Sequence, residues 1–358
     1  MNDDQEALRD GARDVLDGLA SSAQVRAVVD AGGGWDPVLW AAMVEQGWPG
    51  VAVRDSLGGL GLGPVEVAVL LEEVGRHAAP APFATTVLAL DALPRAGATQ
   101  RVEDLRRGDL VVGLAWSRRG DAVRAETDGS QWRLHGRPDP VLYAPSAVVA
   151  IVVADTGDEP ALFSVDLDPG HPARAEPAMD RTRELGWLHF DGTPATRLGG
   201  ADAVQSLLNR GATYAAAEML GGADRALTMA VEYAKERVQF GRPIGSFQAV
   251  KHRCADMLVD VEGMRSSVYW AAWCISADHP DASVAASTAK IWCSDASKRV
   301  MASALQVHGG IGFTWEHDLH LFMKRAQLDQ LTFGDASYHR ERLAALLRPR
   351  VEAGESIL

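Results

Sequence analysis

The sequence predicts an α+β protein in which two helical regions flank a central β region, and three observations carry this prediction. Early apolar residues recur at the i, i+3, i+4, i+7 spacing of one helix face, as in Val67, Leu70, Leu71 and Val74. Short β-branched and aromatic runs, separated by Gly, Pro and Asp, fill the middle of the chain. Long helical patterns resume after about residue 201.

These patterns divide the chain into an N-terminal helical domain (1–108), a middle antiparallel β domain (109–200) and a C-terminal helical bundle domain (201–358). Strands are predicted in the middle domain at Leu110–Val112, Ala147–Ala154, Ala161–Val165 and Trp187–Phe190, with a turn at Asp128-Gly129. Because no long helical pattern separates them, an antiparallel sheet or small barrel is favoured over a parallel βαβ domain.

The C-terminal domain is predicted to be a bundle because its helices are long and their links are short. The helices are expected at about 203–237, from Ser246 onward, and at about 281–307, 318–332 and 336–347. Ser246, which follows Pro243, is expected to cap the second of them.

Composition excludes several function classes. The 358 residues carry a net charge of −13, which argues against binding to nucleic acid or to an anionic membrane surface. No apolar run approaches the roughly 20 residues of a membrane span. The acidic, polar N-terminus does not resemble a signal peptide. Cys254, Cys274 and Cys293 lack metal-type spacing and are predicted to be buried thiols, so we expect a cytoplasmic protein.

Two other motifs are interpreted as structural. The glycine-rich segment 57–63 lacks a preceding strand and a Lys-Ser/Thr ending, so we predict an interhelical loop rather than a phosphate loop. His317 and His320 have no accompanying ligand cluster, so no metal site is predicted.

Two segments combine groups that suit a phosphate-bearing ligand. Segment 236–248 places a basic residue, an aromatic residue and glycine at a corner between two predicted helices. Such a corner offers a guanidinium for phosphate, a ring for stacking and accessible backbone. Segment 306–314 ends a helix in Gly309-Gly310. Taken singly, each is more often a helix-end turn than a site.

Together the two segments resemble the acyl-CoA dehydrogenase family. The matching patterns are Arg237-x-x-Phe240-Gly241-x-x-Ile244-x-x-x-Gln248 and Gln306-x-x-Gly309-Gly310-x-Gly312, with weaker matches in 40–63, 72–76 and 185–191. The resemblance implies a helical domain, a β domain and a C-terminal four-helix bundle. It also implies FAD as cofactor and oxidation of an acyl-CoA thioester to the 2-enoyl-CoA. By position, the FAD adenosine and pyrophosphate would be held across a subunit interface by Arg237, Phe240, Gln248, Gln306, Gly309 and Gly310.

The same resemblance implies that the catalytic base is missing. The family places a glutamate in a Tyr-Glu-Gly turn or on the helix that opens the C-terminal domain, and Phe333 and Gly211 occupy these two positions. Neither side chain can accept a proton. Asp335 is the fallback candidate, and Glu218 and Glu341 are weaker because each has the spacing of an ordinary solvated helix residue.

The segment that would contact the flavin ring also departs from the family. Only Gly120 and Asp121 match the family's loop in 115–121, and 142–145 replaces a second flavin contact. An intact adenosine half-site beside a degraded ring half-site favours a partner subunit. This chain thus resembles the base-lacking subunit of actinobacterial heterotetrameric dehydrogenases of steroid side-chain CoA thioesters, which pair with a base-bearing paralogue as α2β2.

Three alternatives stay open at this point. The chain could be a self-sufficient homotetrameric dehydrogenase with a displaced base at Asp335. It could be a flavin monooxygenase or oxidase on the same fold, which needs no proton abstraction from carbon. It could also be a non-catalytic acyl-CoA-binding subunit.

Overall fold

The computed structural model describes residues 1–97, 99–168 and 173–356. The N-terminal region is helical as predicted. Its α-helices are α1 (Asp3–Leu19), α2 (Ser22–Asp30), α3 (Pro37–Glu45), α4 (Pro64–Arg76), α5 (Phe83–Ala92) and α6 (Thr99–Arg106). The four apolar residues that predicted α4 are all fully buried. The glycine-rich segment between α3 and α4 is a loop with one 3₁₀ turn at Asp55–Leu57.

Within the described residues, nine strands follow the helices. They are β1 (Val112–Ala115), β2 (Val123–Thr127), β3 (Trp132–Gly136), β4 (Val141–Leu142), β5 (Val149–Asp155), β6 (Pro160–Asp166), β7 (Arg174–Ala175), β8 (Leu185–Trp187) and β9 (Phe190–Gly199). β4, β8 and β7 form a small antiparallel sheet.

The main sheet closes into a small barrel. Its strand order is β1-β5-β2-β3-β9-β6, and β6 pairs back onto β5. Leu134, Val152 and Phe163 are buried inside it. Most pairs are antiparallel, as predicted, but β1 and β2 both pair with β5 in parallel. The connection from β1 to β5 runs through β2, β3 and β4, so a parallel pair forms without a crossover helix.

The C-terminal region contains α7 (Ala201–Glu236), a hairpin of β10 (Val238–Gln239) and β11 (Arg242–Pro243), and then α8 (Gln248–Ser276), α9 (Ala282–His308), α10 (Leu319–Leu331) and α11 (Ala336–Glu352). The predicted N-cap at Ser246 is wrong. Ser246 lies in a 3₁₀ turn, and Phe247 occupies the cap position of α8 without a side-chain cap.

Internal contacts group the chain into two compact units. The bundle unit comprises Met1–Ala23, Ala68–Ala79 and Ala212–Leu358, and the barrel unit comprises Gln24–Val67 and Pro80–Gly211. The bundle unit therefore includes α1 and most of α4. The division into three domains at residues 108 and 200 stays a prediction.

Two devices hold α4 inside the bundle unit. The buried Glu73 carboxylate accepts two hydrogen bonds from the Arg13 guanidinium of α1, at 2.6 and 3.0 Å. Glycines bring α4 against α7 at backbone distance. A Cβ on Gly221 would lie 1.8 Å from the Glu72 carbonyl oxygen, and a Cβ on Gly75 would lie 2.0 Å from that of Glu218. Only glycine permits this reciprocal approach.

All three cysteines are free. Cys274 and Cys293 are buried as predicted, whereas Cys254 is only half-buried, because it lies in the first turns of α8, where most side chains face solvent. Within the described residues, no helix combines the length and apolarity needed to cross a bilayer. The cytoplasmic location stays a prediction.

Candidate functional site

A cavity of about 440 Å³ opens in the bundle unit where α7 and α9 end. Arg237 and Gly310, two residues predicted from the sequence to bind the cofactor, both line it. The remaining lining residues come from the same turns and helix ends: Tyr233, Gln239, Ile244, Val307, His308 and Ile311. The structure therefore brings together two segments that lie about 70 residues apart in the sequence.

The β10–β11 hairpin shapes one wall of the cavity. Its base is closed by the Ile244 N–H, which donates to the Arg237 carbonyl oxygen at 2.8 Å. Its two-residue turn is Phe240-Gly241, and both residues have positive φ, 54° and 76°. A two-residue turn of type I′ requires positive φ at both positions and favours Asn and Gly there. Phe240 is therefore strained, at a typical cost of about 1 kcal/mol or more.

The side chain of the strained residue Phe240 projects into solvent, with 92% of its surface exposed. Its ring meets the Phe247 ring edge-on at 6.0 Å, and the Arg242 guanidinium lies 4.1 Å from the centre of the Phe247 ring. The corner therefore presents aromatic surface and cationic groups together. Gln248, the first residue of α8, is exposed beside this cluster.

The end of α9 forms the opposite wall. Gln306 is exposed in the last turn, and Gly309 ends the helix with φ of 63°. No atom lies within 4 Å of the position that a Cβ would take on Gly309 or Gly310. The peptide backbone at both glycines is thus open to a ligand. Phe240, Gln248, Gln306 and Gly309 belong to the elements around the cavity but are not among its lining residues in the described part of the chain.

Sequence reasoning missed two aromatic residues of the cavity. The Tyr233 and His308 rings stack 4.9 Å apart, and His308 is buried with its Nδ1–H donating to the Ala304 carbonyl at 2.8 Å. A signal for Tyr233 was present, because it lies four residues before Arg237 and hence on the same helix face. His308 directly precedes Gly309 but carries no distinctive spacing.

The residues at this corner fit a dinucleotide such as FAD. Arg237 supplies a permanent cation for a pyrophosphate, the open backbone at Gly309 and Gly310 allows close approach, and exposed rings suit the adenine. Among the described residues that line the cavity there is no Asp or Glu, so no carboxylate would repel a bound phosphate there. The corner is therefore suited to an anion although the chain as a whole is acidic.

The turn between α10 and α11 is where a base would be expected. Phe333 is buried there, with φ of 57°, and Gly334 follows with φ of 95°. The Phe333 carbonyl accepts a hydrogen bond from His339 Nε2 at 2.9 Å. Burial lowers the pKa of His339 to about 3, so this imidazole stays neutral. Hydrogen bonding to the backbone thus stabilises the turn, but the side chain of Phe333 is a hydrocarbon ring that cannot accept a proton.

A buried lysine binds the end of α10, just before this turn. Lys290 is fully buried, and its Nζ donates to the carbonyl oxygens of Asp329 and Gln330, at 2.7 and 3.0 Å. These are last-turn carbonyls of α10, which lack helical partners. Burial lowers the Lys290 pKa to about 7.

The alternative bases occupy structural positions. Asp335 is the N-cap of α11, and its carboxylate accepts from the Tyr338 N–H at 2.8 Å. The expectation that Glu218 is a solvated helix residue is wrong, because Glu218 is 2% exposed and pairs with the equally buried Arg325 at 3.4 Å. Glu341 is exposed on α11, and Gly211 is buried within α7.

The segments predicted to have lost their flavin contacts lie in the barrel unit. In the loop after β1, the Ser117 hydroxyl accepts from the Asp139 N–H at 2.7 Å. Tyr143 is fully buried, and its hydroxyl donates to the Ala81 carbonyl at 2.8 Å. The Tyr143 phenol is therefore committed to the internal structure of this unit. In the described residues, no group of three or more His, Cys, Asp or Glu side chains is arranged to hold a metal ion.

A helical bundle and a small barrel in one chain, with a cationic corner suited to a dinucleotide, indicate a flavin-binding protein. Models of the N-terminal and C-terminal domains of acyl-CoA dehydrogenases match residues 2–104 and 199–347. The chain belongs to the acyl-CoA dehydrogenase family, and its cofactor is FAD.

Several similar proteins have been named as acyl-CoA dehydrogenases. The acyl-CoA dehydrogenase IpdE2 of Mycolicibacterium smegmatis is 34% identical over 346 residues, covering 96% of this chain and 99% of the relative. Among solved structures, a chain of the Tcur3481-Tcur3483 steroid ACAD is 34% identical with a TM-score of 0.91, covering 98% of this chain and 99% of that one. A chain of the ChsE4-ChsE5 complex from Mycobacterium tuberculosis is 30% identical with a TM-score of 0.91, covering 97% and 98%.

Proposed function

We propose that this chain is one subunit of a heteromeric FAD-dependent acyl-CoA dehydrogenase, that it supplies the adenosine clamp for FAD, and that it has no catalytic base. The clamp comprises Arg237, Phe240, Gln248, Gln306, Gly309 and Gly310. The observation that carries the proposal is an asymmetry. Arg237 and Gly310 line one cavity and the other clamp residues lie on the elements around it, whereas Phe333 and Gly211 occupy the two positions that the family resemblance assigns to the base.

The reaction explains why the partner must carry a carboxylate. Desaturation removes the α-hydrogen as a proton and the β-hydrogen as a hydride. FAD, when bound, accepts the hydride. General-base help with the proton is typically worth about 10² to 10⁴ in rate, and Phe333 cannot provide it. Asp335 is committed to capping α11. The proposed partner is therefore a base-bearing paralogue in an α2β2 assembly, and the substrate class is a steroid side-chain acyl-CoA, as the similar steroid ACAD supports.

The clamp surface supports assembly with another chain. Exposed apolar side chains surround the cavity on the hairpin and after α9: Val238, Phe240, Ile311 and Phe313, with exposed fractions of 53%, 92%, 46% and 76%. Apolar exposure of this kind around a polar cavity is typical of an interface. We infer that the base-bearing chain covers this rim while FAD lies between the two.

Arg237→Ala tests the clamp. A charge-assisted hydrogen bond is worth about 1.5–3 kcal/mol, so the FAD dissociation constant of the assembled complex should rise about 10- to 150-fold. Arg253→Ala is the matched control, because Arg253 is an exposed arginine on α8 whose guanidinium lies 3.5 Å from the Ser303 hydroxyl. Equal FAD affinity in both variants would refute the clamp.

A second experiment tests the missing base. The chain reconstituted with FAD is assayed alone and with a base-bearing paralogue, on straight, branched and steroid acyl-CoA thioesters. We expect turnover only with the partner, and no effect of Asp335→Asn, which preserves the cap because Asn and Asp cap helices equally well. Turnover by the chain alone that disappears in Asp335→Asn would favour the self-sufficient homotetramer.

A further inference from the structure

The wall of the clamp cavity contains a buried imidazole, that of His308 at the end of α9. His308 lines the cavity and is 4% exposed. Its Nδ1 lies 2.8 Å from the Ala304 carbonyl oxygen. Since a carbonyl oxygen only accepts hydrogen bonds, Nδ1 carries the proton of the neutral ring. Within the described residues, the other ring nitrogen, Nε2, has no hydrogen-bond partner. A buried polar atom of this kind in a cavity wall is a position for a ligand.

Two neighbouring rings fix the orientation of this imidazole. The Tyr233 ring of α7 stacks on His308 at 4.9 Å, with 27° between the ring planes. The His317 ring, just before α10, meets it edge to face at 4.4 Å. With the hydrogen bond at Nδ1, these contacts hold Nε2 in one position in the cavity that Arg237 also lines. A ligand that binds there does not have to order the side chain first.

The charges around His308 leave room for a second cation. Among the described residues that line the cavity, Arg237 is the one side chain with a permanent charge. His317 accepts through Nδ1 from the Leu319 N–H at 3.2 Å, so this neighbouring ring is neutral while that bond is made. Tyr233, from α7, adds a phenol that is uncharged at neutral pH. No carboxylate in this lining supplies His308 with a negative partner, so that partner has to be the ligand.

A pyrophosphate brings two negative charges to the single guanidinium of Arg237. A neutral His308 would present the lone pair of Nε2 to a phosphate oxygen, and two acceptors repel each other. A protonated His308 presents an N–H donor and a second positive charge, which together balance the ligand. The stacked Tyr233 ring also favours the protonated form, because a cation within about 6 Å of an aromatic ring centre is stabilised.

We propose that His308 is a second phosphate-binding residue of the clamp, and that binding of FAD is coupled to uptake of one proton at its Nε2. This inference rests on the proposed function, because it assigns the cavity to the FAD pyrophosphate. One proton passes from the buffer to Nε2, Nδ1 keeps its own proton, and no other covalent bond changes. Because histidine side chains exchange a proton with water between about pH 5 and 8, FAD affinity falls as pH rises through this range.

Titration calorimetry of the FAD-free assembled complex tests proton uptake without any substitution. The heat of FAD binding at pH 7.5 is measured in buffers with different heats of ionisation, and the slope gives the number of protons taken up. We expect an uptake approaching one proton per FAD. The FAD dissociation constant should rise above pH 7, by up to about tenfold per pH unit. Zero uptake, with an affinity that is constant from pH 6 to 9, would overturn the proposal.

Two substitutions assign the proton to His308. His308→Gln keeps an N–H donor that does not titrate, so it should abolish the uptake and flatten the pH profile. His308→Leu removes the donor and should weaken FAD binding about tenfold or more at pH 6. His279→Gln is the matched control, because His279 is a half-buried histidine at the opposite end of α9, about 40 Å away along the helix. Uptake that persists in His308→Gln would contradict the assignment.

Arg237→Ala, measured in parallel, separates this inference from the clamp itself. Weaker FAD binding in Arg237→Ala, with unchanged affinity and uptake in both His308 variants, would overturn the role of His308 and leave the clamp intact. Unchanged affinity in Arg237→Ala and in His308→Leu would overturn both.

Discussion

The crossing of α4 and α7 allows a sharp stability prediction, because two adjacent glycines in α7 have opposite surroundings. A Cβ on Gly221 would lie 1.8 Å from the Glu72 carbonyl oxygen and 2.7 Å from the Arg76 nitrogen. A Cβ on Gly222 would find its nearest atom, the Gly75 carbonyl oxygen, at 3.6 Å, which is ordinary van der Waals contact. Alanine should therefore be rejected at Gly221 and accepted at Gly222.

The expected magnitudes follow from two opposing terms. Alanine gains about 1 kcal/mol over glycine in a helix interior. At Gly221 the obstructing atoms are backbone and cannot move aside, so α4 and α7 must separate by about 1.5 Å, and the overpacking cost lies at or beyond the upper end of the usual 1–3 kcal/mol, at about 2–4 kcal/mol. We expect Gly221→Ala to reduce the free energy of unfolding by about 1–3 kcal/mol and Gly222→Ala to raise it by up to about 1 kcal/mol.

Thermal unfolding at fixed chain and FAD concentrations measures both variants, since ligand and oligomer concentration shift the midpoint. At about 2 °C per kcal/mol for a protein of this size, Gly221→Ala should lower the midpoint by about 2–6 °C, and Gly222→Ala should raise it by about 1–2 °C. Equal midpoints for the two variants, or a loss at Gly222→Ala as large as at Gly221→Ala, would refute the reasoning from backbone contact.

Three further predictions concern buried polar groups. The pKa of Lys290 is lowered from 10.5 to about 7, so between pH 7 and 10 the unfolded chain binds one more proton than the folded chain. The free energy of unfolding should therefore rise with pH over this range. Urea titrations of Lys290→Met should lack this pH dependence. His339 has its pKa lowered to about 3, so stability should fall as pH drops from 6.5 towards 3, and His339→Gln should flatten that loss in acid-unfolding curves. Tyr143→Phe leaves the buried Ala81 carbonyl without its phenol donor and should cost about 1–3 kcal/mol by thermal unfolding, whereas an unchanged midpoint would contradict the bond.

Local patterns predicted the elements that bury one face. α4 was found from four apolar residues because its spacing is set by a single buried face. The hairpin of β2 and β3 was not predicted as strands, although its Asp128-Gly129 turn was. β2 alternates buried Val123 and Ala125 with exposed charged residues, so it contains no apolar run. Such a strand can be identified only from its pairing with neighbouring strands, which the sequence pattern does not show.

Features that depend on distant residues were beyond local patterns. The parallel pairing of β1 with β5 joins segments 37 residues apart, as in Val112 and Val149. Glu218 can be buried because its carboxylate forms an ion pair with Arg325, which lies 107 residues further along the sequence. The cap at Ser246 failed because the hairpin before α8 ends in a 3₁₀ turn. For the site, the resemblance to the family indicated Arg237 and Gly310, and the structure places Tyr233 and His308 in the same cavity.

The two halves of the candidate site differ in how they relate to stability. The turn at Phe333 is fixed by Lys290 and His339, whose hydrogen bonds go to backbone carbonyls, so its shape does not require a carboxylate side chain. A base can therefore be absent while the fold persists. In the proposed clamp, by contrast, contacts within the chain do little to stabilise the conformation of a key residue. Phe240 adopts a strained φ and exposes 92% of its surface, so within this chain it gains little burial in return. Strain without internal compensation is consistent with a contact outside the chain, which is the role that we propose for Phe240 in the clamp.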